Sequence, residues 1–400
     1  MRTRNRHFGA RQGLLLVTAT AVIAVAMPVD ATRAGDHTGL VPLTDMAPDQ
    51  QYQGYCGSLY PDGRNGLSGR HLADGLHEAL QIQPLDPNGL PDPAGRIVLL
   101  SIGMSNTSSE SAAFQSLFAN YGDRNPRLQF VNGAQSGQTA ALICNPAATF
   151  WTVVDQRLTQ ASVTPAQVQA IWYKEADANP TSGFPAYATT LRDESVAVVQ
   201  IIKTRYPNTR IVYVSSRIYG GYATTGLNPE PYAYESGLAM KWLIEQQIQG
   251  DPALNYDPQR GPAVAPFLQW GPYLWADGVV PRSDGLTWVV GEFQSDGTHP
   301  SSPGQAKVAN LLLQFLINSP TSRVWFVKPD LQQLLGDMNG DRAVNFDDVN
   351  PFVAALVSQA RYEARYPGCR WLNGDIDGGG DVNFDDINPF VALLASFGTK

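Results

Sequence analysis

Ile97-Val98-Leu99-Leu100-Ser101-Ile102-Gly103-Met104-Ser105-Asn106 carries the strongest architectural signal in the chain. Four consecutive large aliphatics entering a Gly-x-Ser-Asn turn read as a strand buried on both faces, since a half-exposed strand would alternate polar and apolar residues. A helix-compatible run, 108–121, follows. Such a strand–turn–helix unit fits an open α/β sheet, which binds its ligands at the carboxyl ends of the strands. Gly103 lets the chain turn tightly, and the start of the helix points backbone N–H groups at whatever Ser105 faces. Two readings of Ser105 follow, a nucleophile at a strand end or a helix N-cap.

Downstream, the pattern repeats. Stretches 128–132, 168–173 and 210–215 read as inner strands, and 189–206 and 232–249 as helices. The alternation predicts a mainly parallel sheet covered by helices on both faces. Segment 251–292, rich in Pro, Gly and Trp, has no periodicity and is expected to be irregular structure beside the site. Its Trp270, Tyr273, Trp275 and Trp288 are read either as rings that stack on sugars or as packing residues.

Asp296-Gly297-Thr298-His299-Pro300 precedes a helix-like run, 303–315. An aspartate three residues before a histidine can hold one ring nitrogen while the other takes a proton from a serine hydroxyl. A serine is protonated at neutral pH and needs such a base, and histidine titrates near the working pH. The competing reading is a helix cap next to a surface histidine. Beyond the first few dozen residues the chain offers only His71, His77 and His299.

Together these motifs resemble the SGNH or GDSL-type hydrolases, esterases with a three-layer α/β/α fold. The resemblance spans roughly 96–318 and implies Ser105, Asp296 and His299 as the catalytic triad. The Gly103-Met104-Ser105-Asn106 turn is closer to the Gly-Gln-Ser-Asn variant of carbohydrate acetylesterases than to Gly-Asp-Ser-Leu. By the same resemblance, Ser105 and Gly137 supply oxyanion N–H groups, with Gly133 as a substitute for Gly137. Where the family carries Gly-x-Asn-Asp this chain has Lys174-Glu175-Ala176-Asp177, so an alanine stands in the asparagine's place. Losing such a donor costs about 10²–10³ in turnover, and Lys174 and Asn179 are the nearest replacements. The implied activity is serine ester hydrolysis, deacylating or deacetylating a carbohydrate or another ester, with no cofactor for catalysis. The alternative is a non-catalytic protein of the same fold that binds carbohydrate or a cell-surface partner. No HExxH, paired CxxC or GxxxxGK[ST] stretch points to a zinc or P-loop enzyme.

The carboxyl end contains an internal repeat at an offset of 38 residues, 336–348 returning as 374–386, each copy running into Asn-Pro-Phe-Val-Ala. In the first copy Asp337, Asn339, Asp341, the Ala343 carbonyl, Asn345 and Asp348 occupy positions 1, 3, 5, 7, 9 and 12 of an EF-hand-type loop, all oxygen donors suited to calcium. The second copy keeps Asp375, Asp377, Asn383 and Asp386 but has Gly379 at position 5, so weaker binding is expected there unless Asp381 or water compensates. The pair is similar to type I dockerin modules, which implies a small all-α calcium-loop domain over 331–398 and a cohesin-like or surface-protein partner. Hydroxyl residues common at loop positions 10 and 11 of dockerins are replaced here by Phe346-Asp347 and Phe384-Asp385. Calcium binding therefore transfers more readily than cohesin binding.

The first residues read as an export signal: Arg2, Arg4, Arg6 and Arg11 precede an apolar run, 14–27, with small-residue cleavage sites after Ala26 or Ala34. A secreted or cell-surface protein is expected, with no membrane span after signal removal. Residues 35–95 read as an irregular lead-in, followed by the hydrolase-like domain at 96–328. Three cysteines make no disulfide scaffold; Cys56 and Cys144 are one pairing that leaves Cys369 odd. A net charge of −8 leaves no basic footprint for nucleic acid.

Overall fold

A computed structural model describes residues 35–332 and 334–398. The export-signal reading of 1–34 lies outside the described residues. A small antiparallel hairpin, β1 (Gln51–Tyr52) with β2 (Tyr55–Cys56), and helix α1 (Gly69–Leu80) precede the sheet. The sheet comprises β3 (Ile97–Gly103), β4 (Leu128–Asn132), β5 (Val168–Lys174), β6 (Ile211–Val214) and β7 (Phe267–Trp270). All four pairings are parallel, in the order β4-β3-β5-β6-β7. The fold is thus mixed α/β on a five-stranded parallel sheet. Every residue of β3, β5, β6 and β7 is buried, as the continuous apolar runs require.

Helices α2 (Ser105–Asn120), α3 (Ala140–Ile143), α4 (Thr149–Gln160), α5 (Ala186–Arg205), α6 (Tyr232–Ile248), α7 (Ser302–Asn318) and α8 (Pro320–Phe326) complete this part. The chain steps outward from β3 to β4 and then crosses back to β5, so right-handed connections put α2 on one face and α4, α5 and α6 on the other. Accordingly α7 packs along α2, and α5 along α6. The order reverses beside β3, and the carboxyl end of that strand is where such sheets open a crevice.

Two sequence expectations change. Segment 251–292 is not wholly irregular: it contributes β7, whose four residues are too few to show a period, and its buried edge on β6 supplies the pairing. Its aromatics do not present sugar-stacking faces. Trp270, Tyr273, Trp275 and Trp288 are all buried, and the indole N–H groups point inward, to Leu59 O (2.8 Å), Glu230 Oε1 (2.7 Å) and Leu274 O (2.9 Å) for Trp270, Trp275 and Trp288. Burying both the ring and its one donor leaves nothing to offer a ligand.

The lead-in, read as irregular, contains amphipathic α1. Its Leu72, Ala73 and Leu76 do not join the main core; they belong to a second hydrophobic cluster with residues of the carboxyl-terminal repeat. That repeat forms α9 (Val349–Val357), α10 (Gln359–Arg365) and α11 (Ile387–Gly398), and α11 lies against α1. Phe352 and Phe390, 38 residues apart, stack with ring centroids 4.0 Å apart and planes 12° from parallel, so the two copies meet at equivalent residues. Among the described residues no helix is long and apolar enough to cross a membrane, and Cys56, Cys144 and Cys369 are free thiols.

His71 ties α1 to the sheet. Its Nε2 lies 3.0 Å from Leu268 O and its ring lies against Phe267. Burial lowers its pKa from 6.5 to about 4, against the Leu268 hydrogen bond, which raises it. The folded state therefore disfavours the charged ring, and stability worth about 3 kcal/mol is present above pH 6.5 and lost as pH falls through about 4. Denaturant titrations of wild type and His71→Gln across that window should show a flatter pH dependence in the variant. Identical slopes would refute this role for His71.

Candidate active site

The strand–turn–helix unit delivers Ser105 as the first residue of α2, behind an extended Met104 whose carbonyl accepts the Ser108 N–H at 2.8 Å. Met104 therefore occupies the cap position, and Ser105 is not a capping residue. Gly103 is required by close approach: a Cβ there would collide with Lys174 O and the Thr107 side chain, which hydrogen-bond to one another at 2.7 Å. The free N–H groups of the first helical turn face outward at Ser105.

His299 Nε2 lies 2.8 Å from Ser105 Oγ, and His299 Nδ1 is hydrogen-bonded to Asp296 Oδ2. The other oxygen of Asp296 accepts the N–H groups of Thr298 and His299, each at 3.0 Å. One carboxylate thus closes the turn, as a capping aspartate would, and also orients the imidazole. Burial alone would raise the Asp296 pKa, but the His299 side chain and the two backbone donors outweigh it and hold the carboxyl below its usual value. Gly297, at φ +65°, carries the turn past Tyr222 O, where a Cβ would clash. Asn106, the last residue of the Gly-x-Ser-Asn turn, fastens the two segments together: its buried side-chain amide donates to Thr298 O at 2.9 Å.

Ser105, Asn106, Thr298 and His299 border a cavity of about 320 Å³ that is also lined by Met104, Ser136, Gly137, Thr139, Ala178 and Leu227. Gly137, at φ +72°, is in place on its wall, whereas the Gly133 N–H is consumed by Ser101 O at 3.0 Å. The two replacements for the missing asparagine are not brought to the site. Lys174 is buried and its ammonium is held by both oxygens of Glu110, at 2.6 and 2.5 Å, and Asn179 turns away at φ 52° with its N–H on Gly226 O. Desolvation, opposed by Glu110, brings the Lys174 pKa down to about 8.

One residue lining the cavity was missed at sequence level. Arg217 is buried at 3% exposure, three residues beyond Val214, where β6 ends. A charged residue three positions after a buried apolar strand, Ile211-Val212-Tyr213-Val214-Ser215-Ser216-Arg217, was the available signal.

The repeated carboxyl-terminal loops use their aspartates alike. Asp348 accepts the N–H groups of Met338, Asn339 and Asn345 at 2.7, 3.1 and 2.9 Å, and Asp386 those of Ile376, Asp377 and Asn383 at 2.6, 3.0 and 2.9 Å. Asp337 accepts from Gly340 and Arg342, while Asn339 and Asp341 each accept one loop N–H, from Asp341 and Ala343. In the second loop, oxygens of Asp375, Asp377 and Asp386 lie within 4.8 Å of one another, and Asp375 Oδ1 is buried with no partner among the described residues. Asp381 accepts from the Asn383 amide at 3.2 Å and is outside that cluster. Burial, then the neighbouring carboxylates Asp386 and Asp377, push the Asp375 carboxyl up against two backbone hydrogen bonds. Phe346 and Phe384, at matching loop positions, are each 79% exposed.

No family model and no curated protein sequence matches the chain. Solved structures similar to it include a carbohydrate esterase family 3 protein from Talaromyces cellulolyticus, with 13% identity, a TM-score of 0.35 and 55% of this chain covered against 96% of that one. A GDSL-like lipase from Bacteroides thetaiotaomicron is 12% identical at a TM-score of 0.32, covering 61% of this chain and 96% of its own. A carbohydrate acetylesterase from Xanthomonas citri is 11% identical at 0.32, with 58% of each chain covered. At TM-scores this low the likeness is a resemblance only, and the chemistry of the site rests on its own geometry.

Proposed function

We propose that this protein is a serine ester hydrolase of SGNH type, acting on an acylated carbohydrate or a related ester. The observation that carries the reading is the continuous hydrogen-bonded line Ser105–His299–Asp296, with Ser105 and His299 on the wall of one cavity. His299 Nε2 takes the Ser105 proton as Oγ attacks the ester carbonyl, and Asp296 holds the imidazole in the required tautomer. The tetrahedral oxyanion is placed against the Ser105 N–H and the Gly137 N–H. Collapse breaks the ester C–O bond, and His299 returns the proton to the leaving alkoxide. Water then repeats the cycle on the acyl-serine, releasing the carboxylic acid. A fluorophosphonate probe should label the purified protein, with the adduct on Ser105. Labelling that persists in Ser105→Ala would sink the assignment, and a wild type that neither labels nor cleaves any of a panel of acetyl, acyl and aryl esters would favour the non-catalytic alternative.

The carboxyl-terminal loops are read as calcium sites. This is supported by the clustered oxygens of Asp375, Asp377 and Asp386 and by the orphaned Asp375 Oδ1, which an oxygen-seeking cation would satisfy. The first loop offers Asp337, Asn339, Asp341, the Ala343 carbonyl, Asn345 and Asp348. Calcium at about 100 times its dissociation constant would add about 2.7 kcal/mol to the stability of the segment. Because this segment shares a hydrophobic cluster with α1, EDTA should loosen α1 as well as 334–398. Hydrogen exchange with and without EDTA checks this, and calorimetry showing no calcium uptake would overturn the reading. Export to the cell surface or medium, and docking to a cohesin-like partner, remain part of the proposal on sequence grounds.

A further inference from the structure

The Arg217 guanidinium has no hydrogen-bond partner among the described residues, although Glu110, Glu175 and Glu230 lie near enough to favour its charge. It lines the cavity beside Ser105 and His299, and its Nε is shut away from solvent. A buried cation left unpaired is costly, and structural guanidinium groups are ordinarily matched by a carboxylate or by several carbonyl oxygens. The acids around it are engaged elsewhere. Glu110 is clamped on Lys174; Glu230 accepts the Trp275 indole and the N–H groups of Gly220 and Tyr234, at 2.7, 2.8 and 3.0 Å. Glu175 is fully buried, with Oε2 on the Ala176 N–H and Oε1 unpartnered; desolvation pushes it well above the usual carboxylate range despite Arg217 and Lys174. With Lys174 and Glu110 paired to each other, Arg217 is the cation left on the cavity wall, a planar fork suited to two oxygens.

We infer that Arg217 is the receptor for a carboxylate on the substrate, so that the ester cleaved at Ser105 is one whose alcohol or acyl part carries an acid group. The inference rests on the ester-hydrolase reading for its chemistry, but its test does not depend on turnover. Arginine supplies what that recognition needs: a charge that persists across the working pH range and two parallel donors, on a residue that lines the same cavity as Ser105 and Gly137.

The test uses the Ser105→Ala protein and matched ligand pairs: a methyl O-acetyl-galacturonoside against the neutral O-acetyl-galactoside, and 4-nitrophenyl hemisuccinate against 4-nitrophenyl butyrate. In at least one pair the acid should bind about 10- to 100-fold more tightly, the range of one charge-assisted hydrogen-bonded contact. Arg217→Gln in the same background should bring that ratio close to one, and Arg217→Lys should restore part of it. Equal affinities in both pairs overturn the inference, and because they are measured with Arg217 intact this holds whether or not the variants fold. A ratio that survives Arg217→Gln overturns it too. Turnover by wild type is read separately: acid-selective binding without hydrolysis sinks the ester-hydrolase reading and leaves the carboxylate site standing. Should Arg217→Gln in the Ser105-containing enzyme lower kcat equally on acid and neutral esters, with KM unchanged, Arg217 would be an oxyanion donor and the inference would fail.

Discussion

Ser105→Ala is expected to lower ester hydrolysis by about 10⁴- to 10⁶-fold, leaving KM close to that of wild type. In the proposed mechanism Ser105 and His299 act as one unit, because the base has nothing to deprotonate without the hydroxyl and the hydroxyl is inert without the base. A Ser105→Ala, His299→Ala double variant should therefore be no worse than either single one, within a few-fold. Initial rates with active-site titration settle this, and a single variant retaining a tenth of wild-type turnover would exclude the Ser105–His299 line as the working machinery. The Asp296 contribution is smaller in this scheme, since Asp296→Asn keeps a side chain on the turn while favouring the wrong imidazole tautomer. Asp296 and His299 are each about a quarter exposed, so water can take over part of the orienting role.

The second large effect concerns stability. Lys174→Met should destabilise the protein by about 3–5 kcal/mol, the scale for stranding one member of a buried ion pair. Glu110 and Lys174 are essentially inaccessible, and neither charge has a route to solvent once the other is removed. The double variant Lys174→Met, Glu110→Leu should recover most of the loss, because an apolar pair of similar volume no longer carries an uncompensated charge. Denaturant midpoints at constant slope measure both. A single variant within 1 kcal/mol of wild type would mean that Glu110 finds another partner or solvent in the fold, and would refute the buried pair as a source of stability. The pair bridges α2 to the end of β5, so its loss is also expected to slacken the Ser105 turn.

How much of this was legible beforehand follows the range of the forces involved. Strands β3, β4 and β5 and helices α5 and α6 were readable to within a few residues, since each is a run of apolar residues or a periodic stretch that announces itself within about fifteen positions. Helix α1 was not, because the Gly/Pro/Asp turns on either side dominate the composition of the lead-in. The short β7 lay hidden for a similar reason, inside a segment whose tryptophans read equally well as ligand platforms or as packing.

The parallel α/β order, the strand-end serine, the Asp-x-x-His turn and the 38-residue loop repeat are written in the chain, because turn chemistry, spacing and periodicity are local properties. Which charges meet is settled in three dimensions. Lys174, a neighbour of the serine by sequence position, is drawn to Glu110 on α2, 64 residues away, by the register of β3 on β5, and is lost to the cavity. Arg217 takes a place there through the register of β6, which no local pattern specifies. Burial then does the rest: in a low-dielectric interior each charge must find a partner or be left for a ligand, and which of these happens depends on geometry across the sheet.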